Sequence, residues 1–282
     1  MKSSCQPLLL TLNLELFKTL GEIREDETPM KAKAKEITPQ ELAGIIRRHP
    51  RVAALTGAGI SVESGIPDFR SAGGLWSRFD PMEYAYIRAF RRDPAKVWAM
   101  LKEMDAVITR ARPNPAHYAL AELEAKGFLV GIITQNVDNL HQAAGSKRVV
   151  EYHGNALRFV CDTCRGCHPR ETLDFSHTPL YCLCGGLIRP DVVFFGEPIP
   201  PAAQAEAEEL AQHCDLMIVI GTSGEVAPAS YIPAMAREWN ALIVEVNLEP
   251  TRLTYSLTHH FLRGSAGTVL PLALQELSAP VP

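Results

Sequence analysis

The stretch TGAGISVESGIPDFR, residues 56–70, indicates the fold of this chain most clearly. It follows the short apolar run 52–55, which is typical of a buried strand. A strand that leads into Gly-x-Gly is typical of a dinucleotide-binding turn, because glycines let the backbone turn sharply and approach a pyrophosphate. Val62 stands where the third glycine of the usual fingerprint belongs, and residues 64–67 shorten the helix that follows. The stretch therefore predicts a dinucleotide loop unlike that of a plain dehydrogenase.

Apolar runs typical of strands recur along the chain, with helix-forming segments between them. They are residues 52–56, 129–134, 149–152, 216–221 and 242–247. This alternation predicts an α/β fold with a Rossmann-like parallel sheet, and such sheets bind ligands beyond the carboxyl ends of their strands. We expect one shared site there, because polar or glycine residues follow each run: Gly57, Asn136, His153, Thr222 and Asn247.

Composition excludes several classes of protein. The 282 residues are 46% hydrophobic and 21% charged, as in globular enzymes, and the net charge of −4 argues against a nucleic-acid surface. No apolar stretch approaches the roughly 20 residues that cross a membrane, and the early run 8–10 is interrupted too soon for a signal peptide. The seven cysteines show no disulfide framework, so we expect a cytoplasmic protein. The sequence does not indicate the oligomeric state.

Four cysteines have the spacing of metal ligands. They form two pairs, Cys161-x-x-Cys164 and Cys182-x-Cys184, separated by 17 residues. Two thiolate pairs suit a tetrahedral zinc with all positions filled by protein, which is a structural site. Unconnected thiols and a zinc-ribbon nucleic-acid module are the alternatives, and the latter lacks a basic surround. Cys167, His168 and His177 lie nearby as substitute ligands.

Two further motifs, TQNVDNLH at 134–141 and YHGN at 152–155, complete a recognisable set. Together with the glycine loop and the cysteines, they make the chain closely resemble the sirtuin family of NAD-dependent protein deacylases, from about Lys35 to the C-terminus. The resemblance implies a Rossmann-like domain with a smaller lobe made of a helical module and a zinc module. Two departures from the family stand out: Ser71 replaces a usual glycine, and the second cysteine pair is Cys-x-Cys instead of Cys-x-x-Cys.

The resemblance and the element pattern divide the chain into four parts. Residues 1–35 are an N-terminal extension that we expect to be mobile. The Rossmann-like NAD-binding domain takes residues 36–70, 111–157 and 190–282. Residues 71–110 form the helical module, and residues 158–189 form the zinc module.

The resemblance also assigns catalytic roles. His153 is the general base that helps deprotonate a ribose hydroxyl of NAD, after the acyl oxygen of the substrate attacks C1′ and nicotinamide leaves. Asn136 and Asp138 line the nicotinamide–ribose pocket, and Gln135 contacts the ribose. From the residues alone, a hydrogen-bonded core histidine and an ordinary polar turn remain open.

Further residues are assigned to the cofactor and the substrate by the same resemblance. On the loop over the cofactor, Phe69 shields the reacting face, Arg70 pairs with phosphate, and Asp68 orders the loop or meets nicotinamide. The remaining cofactor contacts are Gly57, Ala58, Gly59, Ser61, Gly221, Thr222, Ser223, Asn247, Leu248, Glu249 and Ala266. The substrate peptide is expected to add as a strand beside Val193, Phe194, Phe195 and Gly196, for which a buried core strand is the alternative.

These observations lead to one functional hypothesis with alternatives. The chain is interpreted as an NAD-dependent lysine deacylase, most simply a deacetylase, that forms nicotinamide and O-acyl-ADP-ribose, with zinc as a structural ion. Protein mono-ADP-ribosyl transfer on the same scaffold and a non-catalytic NAD- or peptide-binding module are the alternatives. Sirtuins that favour succinyl-lysine carry a Tyr and an Arg three residues apart on a helix of the small lobe. Leu101 and Met104 align there, which predicts a preference for neutral acyl groups.

Overall fold

The computed structural model describes residues 34–69 and 74–278. Arg70 and Ser71, as well as residues 1–33 of the expected N-terminal extension, lie outside the described residues.

Seven strands of the described chain form one parallel sheet in the order β1-β10-β9-β8-β2-β3-β4. The central strands β2 and β8 are buried at every position, because helices cover both faces. The predicted parallel sheet is confirmed. The strands are β1 (Lys35–Glu36), β2 (Val52–Thr56), β3 (Leu129–Thr134), β4 (Val149–Glu151), β8 (Leu216–Ile220), β9 (Leu242–Asn247) and β10 (His260–Arg263).

A second sheet of three antiparallel strands lies outside this alternation, in the order β6-β5-β7. Its strands are β5 (Gly154–Cys161), β6 (Cys167–His168) and β7 (Ile188–Val192). Strand β5 begins directly after His153, so His153 lies between the parallel sheet and the cysteine-bearing segment.

Helices cover the two faces of the parallel sheet and build the smaller lobe. They are α1 (Pro39–Arg48), α2 (Pro81–Tyr84), α3 (Ile87–Arg92), α4 (Pro94–Arg110), α5 (Pro115–Ala125), α6 (Leu140–Ala143), α7 (Pro201–His213), α8 (Ile232–Glu238), α9 (Arg252–Ser256) and α10 (Ala266–Ser278). Helices α1, α5 and α10 bury apolar side chains on one face of the sheet, and α7, α8 and α9 do so on the other. None of the helices in the described part is long and apolar enough to cross a membrane.

Helix α1 shows how local sequence sets an element. The hydroxyl of Thr38 accepts a hydrogen bond from the Glu41 N–H, and the Glu41 carboxylate accepts one from the Thr38 N–H, with Pro39 at the first helical position. These reciprocal bonds form a capping box, which fixes the start of the helix.

The smaller lobe has its own apolar core. Phe90 of α3 stacks on Phe194 with ring centroids 5.5 Å apart, and Trp98 of α4 stacks on Phe159 of β5 at 6.4 Å. All four aromatic side chains are buried. The helical and cysteine-bearing segments thus share one core, which fixes their relative position.

The first strand of the parallel sheet begins at Lys35, a residue that the sequence division placed in the N-terminal extension. Its backbone N–H donates to the His259 carbonyl oxygen at 3.0 Å, and β1 pairs in parallel with β10. Two residues at a sheet edge carry no periodic pattern, so this strand has no signal in the sequence.

Candidate active site

The glycine loop after β2 lies directly against the loop after β8. The Gly57 N–H donates to the Ile220 oxygen at 3.0 Å, and the Gly59 N–H donates to the Gly221 oxygen at 2.8 Å. A Cβ atom on Gly59 would lie 2.7 Å from the Gly221 Cα, closer than packing allows. These two N–H groups therefore hold the loops together, and the glycines are needed because the two backbones touch.

The glycine loop continues directly into a 3-10 helix, Ala58–Ser64, which contains Gly59 and ends at Gly65 with a positive φ of 83°. The shortened helix that residues 64–67 predict is thus present. Ser61 is buried on this helix and faces the turn that follows β3.

One hydrogen-bond network joins that turn to the glycine loop and contains four candidate residues: Gly57, Ser61, Asn136 and Asp138. The Asn136 amide Nδ2 donates to the Gly57 oxygen and to the Ser61 hydroxyl, both at 3.1 Å. The Ser61 hydroxyl donates to Asp138 Oδ2 at 2.7 Å, and the Leu140 N–H donates to Asp138 Oδ1 at 3.0 Å. Burial raises the pKa of Asp138, and these donors oppose the rise. Asp138 thus holds Ser61 in place and, through it, the Asn136 side chain.

His153 follows β4, half-buried beside the same turn. Its ring nitrogen Nδ1 lies 3.0 Å from the Gln135 carbonyl oxygen, which can only accept, so Nδ1 carries the proton and Nε2 keeps its lone pair. Burial lowers the pKa of His153, and the bond to Gln135 opposes this. The backbone oxygen of His153 accepts from the Val193 N–H at 2.9 Å. A neutral imidazole with Nε2 available has the properties of a general base.

A buried pair of histidines lies beneath the turn. His117 Nδ1 accepts from the Asn114 N–H at 3.3 Å, so its proton is on Nε2. His141 Nε2 lies 2.9 Å from the Thr56 hydroxyl, which donates to the Thr134 hydroxyl at 2.9 Å, so His141 donates and its Nδ1 is bare. The rings lie 4.9 Å apart, and neither His117 Nε2 nor His141 Nδ1 has a partner among residues 34–69 and 74–278.

This pair supports the catalytic turn through the two threonines. The Thr134 hydroxyl also accepts from the Asn136 N–H at 3.1 Å, so the chain of bonds from His141 ends at a candidate catalytic residue. Burial lowers the pKa of His117 to about 4 and, together with the nearby His117, that of His141 to about 3. His141 is thus an interior residue that supports the turn.

The loop expected to cover the cofactor is described only up to Phe69. The Phe69 ring packs against Trp76 with centroids 5.2 Å apart and is 37% exposed. The Leu75 N–H donates to the Asp68 carbonyl oxygen at 2.8 Å. An aromatic ring that is neither buried nor fully exposed at this position is suited to cover a ligand.

The loops after β8 and β9 join the far side of the site. Gln135 Nε2 donates to the Thr222 hydroxyl at 3.1 Å, and Asn247 Nδ2 donates to the Thr222 carbonyl oxygen at 3.1 Å. Arg263 donates to the Leu248 oxygen at 3.0 Å and to the Glu249 carboxylate at 2.9 Å. Thr222, which Ser223 follows, thus connects the turn after β3 to the loop after β9, where Asn247, Leu248 and Glu249 are predicted cofactor contacts.

Glu245 fixes the loop after β9 from within the core. Its carboxylate is fully buried and accepts from the hydroxyls of Thr251 at 2.7 Å, Thr254 at 2.5 Å and Thr258 at 3.2 Å. A buried carboxylate is tolerated only when it is well bonded, and three hydroxyls meet that need. Ala266, at the start of α10, is also buried.

The predicted substrate-peptide segment joins the two lobes. The Phe195 N–H donates to the Ala85 oxygen at 2.9 Å, and the Ile87 N–H donates to the Phe195 oxygen at 3.1 Å. Phe195 is 37% exposed, whereas Phe194 is buried in the core of the smaller lobe. The two phenylalanines therefore differ, and Phe195 is the one that a substrate side chain can touch.

The four predicted metal ligands come together. Their sulfur atoms all lie within 4.8 Å of one another, with Cys161 Sγ 3.5 Å from Cys184 Sγ and Cys164 Sγ 3.8 Å from Cys182 Sγ. A tetrahedral zinc about 2.3 Å from each sulfur places them about 3.8 Å apart, so the cluster fits zinc. A Cβ on Gly186 would lie 2.7 Å from Cys161 Sγ, so glycine here leaves room for the short second pair.

The substitute ligands are not part of this cluster. Cys167 and His168 form β6 and pair with β5, and His177 contacts Asp174 at 2.8 Å. The cluster therefore takes both sulfur atoms of the Cys-x-Cys pair, those of Cys182 and Cys184.

Sequence reasoning missed several supporting residues, including His117, Thr56, Thr134 and Glu245. Each acts on a partner that is distant along the chain or in a different element, and no local pattern indicates such pairs. The adjacency of Thr56 and Thr134 to the predicted strand ends is the one signal that points to them.

This chain is similar to known proteins over most of its length. The sequence model of the Sir2 family matches residues 57–228. The NAD-dependent protein deacylase 2 of Pyrobaculum aerophilum is 49% identical over 236 residues, which cover 84% of this chain and 94% of that protein.

Solved structures of Sir2 proteins are also similar to this chain. A Sir2 homolog–NAD complex aligns with a TM-score of 0.81 at 39% identity, covering 86% of this chain and 95% of that one. A Sir2 variant with a deacetylated p53 peptide and 3′-O-acetyl ADP-ribose aligns with a TM-score of 0.79 at 34% identity, covering 85% and 98%.

Proposed function

The chain belongs to the Sir2 family and is an NAD-dependent protein deacylase. We propose that its main activity is lysine deacetylation and that His153 is the general base of this reaction. The observation that carries this proposal is the pair of contacts made by His153. Its ring is bonded to Gln135 in the turn proposed to hold NAD, and its backbone oxygen is bonded to Val193 in the segment proposed to hold the peptide. One residue thus joins the two proposed substrate sites.

The residues of the site have distinct proposed tasks. Bound NAD supplies the ribose carbon that the acyl oxygen attacks and nicotinamide as the leaving group. His153 Nε2 accepts the proton of a ribose hydroxyl, since Nδ1 is already engaged. Asn136 orients the ribose and nicotinamide, and Asp138 holds Asn136 in place through Ser61. Phe69 excludes water from the reacting face.

The remaining proposed cofactor contacts lie on the connected loops. The backbone of the glycine loop and the loop after β8 approach the phosphates, and the proposed role of Arg70 is to pair its charge with a phosphate. Asn247, Leu248 and Glu249 meet the adenine ribose, in a loop that Arg263 holds by two hydrogen bonds.

The proposed peptide site is the segment Val193, Phe194, Phe195 and Gly196. An extended peptide pairs with this backbone, and its acyl-lysine stem passes the exposed face of Phe195. The zinc site of the four cysteines stabilises the smaller lobe and takes no part in the reaction.

Nicotinamide release from NAD, measured with acetyl-lysine peptides, tests the proposal. We expect release to depend on the acetylated peptide, and His153→Ala to lower kcat/KM by about 10²–10⁴-fold while NAD binding persists. His177→Ala, a surface histidine outside the site, is the control and keeps wild-type turnover. A folded His153→Ala protein with near-normal turnover would refute the role of this residue.

A further inference from the structure

Arg189 is a buried arginine to which sequence reasoning gave no role. It lies in β7, is 4% exposed, and its guanidinium has three partners. Nε donates to Asp162 Oδ1 at 3.2 Å, Nη1 donates to the Val192 carbonyl oxygen at 2.8 Å, and Nη2 donates to Glu197 Oε1 at 2.7 Å. All its nitrogens are therefore bonded to the protein.

These bonds belong to a chain of four alternating charges. Arg91 of α3 donates to Asp162 Oδ2 at 3.1 Å, and Asp162, Arg189 and Glu197 continue the chain. Asp162 follows Cys161 directly, so the backbone joins it to the cysteine cluster. Glu197 follows the proposed peptide segment directly. The chain of charges thus runs from the cysteine cluster to that segment.

The last charge of this chain fixes the backbone of the segment. Glu197 Oε2 accepts from the Phe194 N–H at 3.0 Å, while Arg189 holds the Val192 oxygen. The guanidinium also lies over the Phe194 ring, with Cζ 5.3 Å from its centroid. Backbone groups on both sides of Val193, whose N–H is bonded to His153, are therefore fixed by this ion-pair network.

A buried arginine between two carboxylates is sensitive to change. If the arginine is lost, the part-buried Glu197 loses its ion-pair partner and Asp162 keeps only the exposed Arg91, so the backbone that the two carboxylates order must rearrange. Strand addition depends on an edge that is already fixed before the peptide arrives, since ordering it during binding lowers affinity.

We propose that Arg189 is a positioning residue for the acylated peptide, and that Asp162 makes peptide binding depend on the cysteine cluster. The inference rests on the proposed function, because it takes residues 193–196 as the peptide site. Arg189 contacts neither cofactor nor peptide in this scheme and acts through Val192, Phe194 and Glu197.

Three variants test the proposal: Arg189→Met, Asp162→Asn and Glu197→Gln. The last two keep the size of the side chain, so they serve even where Arg189→Met does not fold. We expect the Kd of a fluorescent acetyl-lysine peptide and its KM to rise roughly ten- to hundredfold, the loss typical of a hydrogen bond to a charged group. The KM for NAD and a zinc content of one ion per chain stay at wild-type values.

The matched control is Arg158→Met. Arg158 lies on β5, pairs with Glu151 and Asp191, and is about half exposed, so its loss should leave peptide binding unchanged. A merely structural role of Arg189 would change both KM values and the zinc content together.

The outcomes separate the two proposals. Wild-type deacetylation with unchanged peptide Kd and KM in Asp162→Asn and Glu197→Gln would overturn the positioning role alone. A wild-type protein that neither binds nor deacetylates the peptide would overturn the proposed function and, with it, this inference.

Discussion

Acidification should unfold this protein through its buried histidine pair. His117 and His141 are almost completely buried, and burial lowers their pKa values to about 4 and about 3 from an ordinary 6.5. Above pH 6.5 both rings are neutral in the folded and the unfolded chain, so neither affects stability. Below pH 6.5 the unfolded chain binds protons that the folded chain does not bind, and stability falls as the pH approaches the folded pKa values.

The size of the effect follows from these pKa values. At pH 5 each unfolded histidine has gained about 1.5 pH units of protonation free energy, or roughly 2 kcal/mol, whereas the folded rings are still largely neutral. The pair therefore costs about 4 kcal/mol at pH 5, which is a large part of the 5–15 kcal/mol typical of a folded domain. The loss extends to the turn that holds Asn136, because His141 supports it through Thr56 and Thr134.

Urea unfolding at pH 7 and at pH 5 measures this loss, with the fluorescence of the buried Trp98 as one probe. The variant His117→Gln removes one of the two groups, so its free energy of unfolding should fall by about 2 kcal/mol less than that of the wild type between these pH values. His177→Gln, at an exposed histidine, should follow the wild type. Parallel losses in His117→Gln and the wild type would show that the pair does not carry the acid sensitivity.

Three further predictions concern metal, substrate and backbone. Replacing Cys184 by Ser should lower the zinc content and the Tm together, because metal binding contributes to folding, whereas replacing Cys167 should change neither. Loss of zinc in the Cys167 variant and its retention in the Cys184 variant would show that Cys167, and not Cys184, is the ligand. Matched acetyl, butyryl and succinyl peptides should show the succinyl peptide with the lowest kcat/KM, because Leu101 is buried and Met104 packs in apolar clusters, so neither can pair with a carboxylate; succinyl as the best substrate would refute this. Gly154→Ala should lower the Tm and the soluble yield, because its Cβ would lie 2.0 Å from a backbone oxygen of the neighbouring strand; an unchanged Tm would contradict the positive φ of 81° assigned there.

The parallel sheet could be predicted from the sequence because its strands are buried on both faces. The runs 52–56, 129–134 and 242–247 have the bounds that the structure gives them, since an apolar run ends where a strand leaves the covered core. The placement of glycine, asparagine and histidine at the strand ends then predicts a shared site, and Asn136, Gly57 and His153 are indeed connected by hydrogen bonds around one turn.

Other features depend on contacts between distant residues, which no local pattern reveals. Gly59 is needed because of Gly221, and the role of Arg189 depends on Asp162 and Glu197 on either side of it along the chain. Short strands such as β1 and β6, with two residues each, carry too few residues for a periodic signal. The cytoplasmic location and the expectation that nucleic acid is not a partner stay predictions.

The stoichiometry of the reaction tests the central claim most directly. Purified protein, NAD and an acetyl-lysine peptide are incubated, and nicotinamide, deacetylated peptide and O-acetyl-ADP-ribose are quantified by mass spectrometry. We expect equal amounts of all three products with the wild-type protein, and only traces of each with His153→Ala. Nicotinamide release with the acetyl group still on the peptide, or ADP-ribose attached to protein, would contradict deacetylation as the activity of this chain.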